Sequence, residues 1–261
     1  MASPRNSYTA DGIWCADDFM AEKNSREEFV VKNWEGDFTG ADELGCQVIW
    51  RPEEDVNAVS KHYHEIADED LLVLSTDGSL NFKEQRGGWA AIQSGGGGRL
   101  IHFASGSITQ DQRLADAVVD EKVTVLETEL RAPAEALEKA AQIVVQRRAE
   151  GKRTWGTIVA LTDSYEVLKS VGEYKEQSGQ VHASHYCNLK ILRSVETLRA
   201  HGVRCVFDKT KGHSGVAANE AADKVARAQS GCDTWQDVRD WRSPGARRYP
   251  IEDLPMPGGE S

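Results

Sequence analysis

The sequence predicts a mixed α/β fold: a five-stranded sheet flanked by helices, behind an acidic amino-terminal extension. Three observations predict it. Two apolar runs without alternation, "LLVLS" at 71–75 and "TIVAL" at 157–161, read as strands covered on both faces. A hairpin follows the first of them, built from "GGWAAIQS", "GGGG" and "RLIHFASGS". After residue 130, helical periodicity and apolar runs alternate up to about residue 230.

The extension, residues 1–69, carries the charge. The first seventy residues hold 17 of the 42 acidic side chains but only 6 of the 31 basic ones, so the whole net charge of −11 falls there. Trp14, Trp34 and Trp50 argue against a plain solvated tail. "EFVVKNW" and "CQVIWRP" read as short strands, and "PEEDVNAVSKHYHEIA" as a helix entered through Pro52 and three acids. Partial order is expected.

Residues 70–230 form the main domain. In the hairpin, no GK[ST] follows Gly95–Gly98, so the four glycines read as a turn and not as a phosphate loop. "RAPAEALEKAAQIVVQRRAEG" is a helix with Pro133 in its first turn and Gly151 just past its end. Leu137, Ala140, Ala141, Val144 and Val145 form its buried stripe. Helices at "SYEVLKSVGEYK" and "CNLKILRSVETLRAHG", the strand "VRCVF" and a last helix at 216–230 complete the domain. Residues 231–261 are a tail whose last dozen residues are expected to be disordered.

Composition excludes several classes. No apolar run approaches the roughly 18 residues that cross a membrane, and the first residues lack the apolar core of a signal peptide. Five cysteines without a CxxC pair suit a reduced intracellular setting, cytoplasmic or nuclear. His182, His185 and Cys187, and likewise His62 and His64, lack the further ligands a zinc site needs.

Two strands end alike, in Asp77 and Asp163. Carboxylates at the carboxyl ends of buried strands sit where α/β sheets place ligands. If the strands are parallel neighbours, the two charges repel unless a cation lies between them. Glu135 opens the long helix and Asp223 lies in the last one, with His213 in the glycine-flanked turn "KGHSG" before it. Taken singly, each has a bland reading: a turn cap, a helix-dipole glutamate, a solvated helix face, a loop histidine. Together, four carboxylates match a pair of Mg²⁺ or Mn²⁺ ions about 3.5–4 Å apart.

These residues resemble the ribonuclease H family. The pattern is "TDGS" on the first strand, "AEAL" on the long helix, "TDS" ending the fourth strand, and "GHSG" followed by "NEAAD". Gly87 and Gly88, ten and eleven residues after Asp77, also fit. The resemblance covers about residues 70–230. It implies a ribonuclease H-like sheet, a metal set of Asp77, Glu135, Asp163 and Asp223, and His213 as a mobile proton carrier. Gly78, Ser79 and Lys83 would meet the substrate. The implied activity is endonucleolytic: hydrolysis of the RNA strand of RNA–DNA hybrids with two divalent ions, leaving 5′-phosphate and 3′-hydroxyl ends.

The chain also departs from the family pattern. The stretch 107–131 is longer than usual, which leaves Glu127 and Glu129 as rivals to Glu135. Thr128 and Arg131 stand where an Asn or Gln would contact a 2′-hydroxyl, and Lys83 stands where Asn is frequent. Residues 172–188 are not a basic, tryptophan-bearing handle. Three alternatives stay open: a junction resolvase; a proofreading exonuclease, though Asp77-Gly78-Ser79 lacks its Asp-x-Glu; and a non-catalytic domain that binds nucleic acid or protein. The acidic extension would fold over the site or engage a basic protein partner.

Overall fold

The computed structural model describes residues 46–49, 53–67, 69–116, 118, 122–174, 182–213, 215–243 and 250–255. The five expected strands form the centre of the sheet: β2 (Leu71–Asn81), β3 (Arg86–Gly95), β4 (Arg99–Ile108), β5 (Thr157–Thr162) and β6 (Arg204–Lys209). Two short strands extend its edges, β1 (Gln47–Ile49) beside β6 and β7 (Ile251–Glu252) beside β4. The order is β1-β6-β5-β2-β3-β4-β7. β2, β3 and β4 are antiparallel, whereas β2, β5 and β6 run parallel.

The helices are α1 (Glu53–Ile66), α2 (Gln110–Ala115), α3 (Val125–Ala149), α4 (Tyr165–Gly172), α5 (Ala183–Ala200), α6 (Ala217–Ser230) and α7 (Trp235–Asp240). α3 and α5 cover one face, where Leu130, Leu137, Ile191 and Leu198 pack on Leu72, Leu74, Ile158 and Phe207. Two helices share the other face. α6 lays Ala221, Ala222 and Val225 on Ala90, Ile92 and Leu100. α1 and the residue after it lay Tyr63 and Ala67 on Val73, Val159, Leu161 and Val206. This explains the unalternating "LLVL" of 71–74: Leu72 and Leu74 face one layer and Val73 the other, so apolar residues are needed on both faces. No helix among the described residues is long and apolar enough to cross a membrane.

Four expectations change. α3 starts at Val125, two turns before Pro133, because Thr124 caps it by accepting the N–H of Glu127. The sequence signal is Thr124-x-x-Glu127, a capping pattern ahead of an apolar run. Pro133 therefore lies inside the helix and offers no N–H to the carbonyl of Glu129. The long stretch 107–131 is thus filled by α2 and by the first turns of α3. α5 begins at Ala183, directly after His182 and four residues before Cys187, which is buried in the core. Finally, Ile251–Glu252 pair with Leu100 and Ile101 where disorder was expected, and Glu252 forms an ion pair with Arg99. The expected strand at 28–34 lies outside the described residues, as do Trp14, Trp34 and Trp50.

Candidate metal centre

The centre begins with strand register. β2 and β5 are parallel neighbours whose last matched pair is Thr76 and Thr162. Asp77 and Asp163 follow directly, so two carboxylates leave adjacent strands at the same level. Asp77 is buried, and the N–H of Gly78 donates to its Oδ1 at 2.7 Å.

Gly78 also decides what comes next. A Cβ there would lie 2.3 Å from the carbonyl carbon of Thr128 and 2.4 Å from the nitrogen of Glu129. Only glycine lets the backbone of α3 approach β2 this closely. That approach sets Glu129 beside the two aspartates. Ligand oxygens of Asp77, Glu129 and Asp163 all lie within 4.8 Å of one another.

The electrostatics match such crowding. Burial pushes the Asp77 carboxyl well above the ordinary carboxylate range, and the charges of Glu129, Asp163 and Asp223 push it further; the Gly78 N–H opposes them only in part. Glu129 is raised to about 8, first by burial and then by Asp163, with Asp223 adding to it against the Gly78 N–H. Oε2 of Glu129 is buried without a hydrogen-bond partner among the described residues. Asp163 is steadied by Asn219 of α6, whose Nδ2 donates to Oδ2 at 3.2 Å.

Asp223 approaches from α6. That helix rests on Gly88, where a Cβ would meet the carbonyl oxygen of Ala226 at 2.1 Å. Asp223 lies outside the tight trio, yet its charge acts on Asp77 and on Glu129. Its own carboxyl is raised by burial, against the pull of Arg227, His213 and Lys224. His213 is exposed and takes a left-handed backbone, φ 50°. Ser79 accepts the hydroxyl of Ser230 at 3.2 Å, and Lys83 lies in the exposed turn joining β2 to β3.

Glu135 is not in this group. Its Oε1 accepts Arg131 Nη1 at 3.2 Å and its Oε2 accepts Lys190 Nζ at 2.8 Å, on the side of α3 that meets α5. Six residues along a helix turn a side chain through about 600°, so Glu129 and Glu135 cannot face the same place. The expectation for Glu135 came from taking Pro133 as the helix start. With the start at Val125, the rival Glu129 is the helix carboxylate beside the aspartates.

The trio fits hard divalent cations of the Mg²⁺ or Mn²⁺ kind: an all-oxygen donor set, gathered, poorly neutralised and holding one unpartnered oxygen.

The family model described as RNase H matches residues 69–231. No curated protein sequence matches the chain. Solved structures with a similar course include RNase H1 from the halophilic archaeon Halobacterium salinarum NRC-1, at 18% identity and TM-score 0.39 over 62% of this chain and 99% of that one. An N-terminal RNase H domain from Mycobacterium tuberculosis, solved as a fusion with maltose-binding protein, has 16% identity and TM-score 0.40 over 62% and 94%. LC11-RNase H1 in complex with an RNA/DNA hybrid has 15% identity and TM-score 0.42 over 62% and 97%.

Proposed function

The chain belongs to the RNase H family, and from that premise we propose that it is a divalent-metal-dependent endonuclease hydrolysing the RNA strand of RNA–DNA hybrids. The products are 5′-phosphate and 3′-hydroxyl ends. The observation that carries this reading is the gathering of Asp77, Glu129 and Asp163 beside Gly78, where burial and mutual repulsion raise the carboxyls of Asp77 and Glu129.

Two ions of the Mg²⁺ or Mn²⁺ kind, when bound, supply the positive charge that draws water and a phosphodiester together. The chain's own part is placement. Asp77, Glu129 and Asp163 would hold the ions, and Asp223 would add a fourth carboxylate from α6. Gly78 and Asn219 keep two of these side chains from turning away. His213, exposed beside Asp223, can pass a proton to the departing 3′ oxygen, a task suited to an imidazole near neutral pH. Gly78, Ser79 and Lys83 lie along the approach a substrate strand would take. An intracellular setting, cytoplasmic or nuclear, fits free thiols at Cys46, Cys187, Cys205 and Cys232.

The test is cleavage of a labelled RNA–DNA hybrid with Mg²⁺, beside duplex DNA, duplex RNA and a four-way junction. The hybrid is expected to be cut in its RNA strand, and Asp77→Asn is expected to slow the reaction by about 10²–10³-fold. Equal rates for Asp77→Asn and the wild type, or cutting confined to the junction, would overturn the reading.

A further inference from the structure

β6 ends in a carboxylate that the metal centre does not use. Asp208 is fully shut away from water. Its Oδ1 accepts the N–H of Lys209 at 2.8 Å and its Oδ2 accepts the hydroxyl of Tyr63 at 3.2 Å. Tyr63 is buried and belongs to α1. One turn earlier on the same face of that helix, the buried Ser60 donates its hydroxyl to the carbonyl of Lys209 at 3.4 Å. Both main-chain groups of Lys209 therefore answer to α1, the N–H through Asp208 and the carbonyl through Ser60.

Lys209 and its successors lie against Asp163. The Lys209 ammonium donates to the Asp163 carbonyl at 3.3 Å, and the N–H of Thr210 donates to the carbonyl of Thr162 at 2.9 Å. Gly212 packs so near that a Cβ would lie 2.5 Å from Oδ2 of Asp163. His213 follows immediately.

We propose that α1 is a positioning element for the metal centre: Tyr63 and Ser60 fix the end of β6, and β6 in turn sets Asp163 and the turn that bears His213. α1 lies before residue 69, where the family match begins. The extension thus supplies part of the frame of the site from beneath, in addition to any role it has over it. A helix that merely covered the sheet would need only its apolar side chains, and α1 has those in Val56, Tyr63 and Ala67. Two hydroxyls aimed at consecutive residues of one strand end do more: they fix its position along the strand axis, which apolar contact leaves loose. The part of the proposal that concerns metal affinity and catalysis rests on the proposed function, whereas the ordering of residues 208–213 does not.

The experiment compares the full chain with Ser60→Ala, Tyr63→Phe, their double variant and, as a packing control on the same helix, Val56→Ala. Tyr63→Phe keeps the ring. Amide hydrogen exchange at Lys209–His213 is read first, then Mg²⁺ affinity by calorimetry, then kcat and KM on the hybrid. The double variant is expected to speed exchange at Lys209 and Thr210 and to weaken Mg²⁺ binding by about tenfold, what one or two hydrogen bonds are worth. kcat should fall while KM holds, and Ser60→Thr should behave as wild type. Val56→Ala should lower the melting temperature and leave the other readouts alone. Wild-type exchange at Lys209–His213 in the double variant overturns the proposal, as does a Val56→Ala variant that reproduces the whole pattern. If the wild type binds no Mg²⁺, the proposed function falls, and the exchange data still decide whether α1 orders the strand end.

Discussion

Two groups of carboxylates on α3 are solved in opposite ways. Glu127 is buried against Arg113, with Nε at 3.0 Å from Oε1, and both side chains are at most 1% exposed. Glu135 is held between Arg131 and Lys190. Arg131 also pairs with Asp116 at 2.7 Å and lies over the ring of Tyr186. Between these two, Glu129 turns the other way and, among the described residues, meets like charges and one backbone N–H. Glu127 and Glu135 each have a cationic partner, although burial still raises the Glu127 carboxyl against the pull of Arg113 and Arg131. Glu129 makes the helix unstable unless something positive arrives. The difference teaches that pairing sorts the acids of one helix better than position in the sequence does.

The sharpest way to break the comparison is to neutralise each kind in turn. Glu129→Gln is expected to lower hybrid cleavage by about 10²–10³-fold, while the metal-free protein melts no earlier, since a repelling charge is gone. Glu135→Gln should cleave at the wild-type rate. If the two variants exchange these results in a cleavage assay, the assignment is reversed. Glu127→Gln should do the converse damage, because it leaves Arg113 buried and uncompensated; a loss of about 3–5 kcal/mol in chemical denaturation is expected. Gly78→Ala puts a methyl into the backbone of Thr128 and Glu129 and should cost about 1–3 kcal/mol together with Mg²⁺ affinity measured by calorimetry.

The smallest effect is in pH. The Glu129 carboxyl titrates near 4.5 when free and at about 8 in the folded chain. Between those values the folded protein keeps a proton that the unfolded chain has released, so stability falls as pH rises through the window. Asp77 is displaced in the same direction. Melting temperatures measured in a chelator should decline from pH 5 to pH 8, and the decline should be shallower in Glu129→Gln. A flat profile for the wild type would remove the evidence that these acids are strained together.

Much of this was legible in the chain. The covered strands, the glycine hairpin and the neighbouring positions of Asp77 and Asp163 follow from periodicity and position, and the structure places those strands side by side, although β2 runs past Asp77 to Asn81 while only β5 stops before its aspartate. The helix carboxylate was not, for a local reason. Proline is common in the first turn of helices, so Pro133 outweighed the weaker cap at Thr124, and the register moved by two turns. The capping pattern Thr124-x-x-Glu127 held the correction. The grip of α1 on β6 could not be read at all, since Ser60, Tyr63 and Asp208 are ordinary residues until the fold brings them together across about 145 positions. Asn219 stood within the family pattern, yet its bond to Asp163 appears only when α6 docks on β3.

Pro133 gives α3 a seam. The rung it leaves out is the one that would tie the peptide of Glu129 to the turn behind it. The leading section, Val125–Ala132, has one hydrogen bond fewer to the long trailing section, and its own contacts with β2 at Gly78 and with Arg113 hold it in place. A ligand that tugs on Glu129 then needs to tilt two turns of backbone, and the rest of the rod can stay where the core has put it.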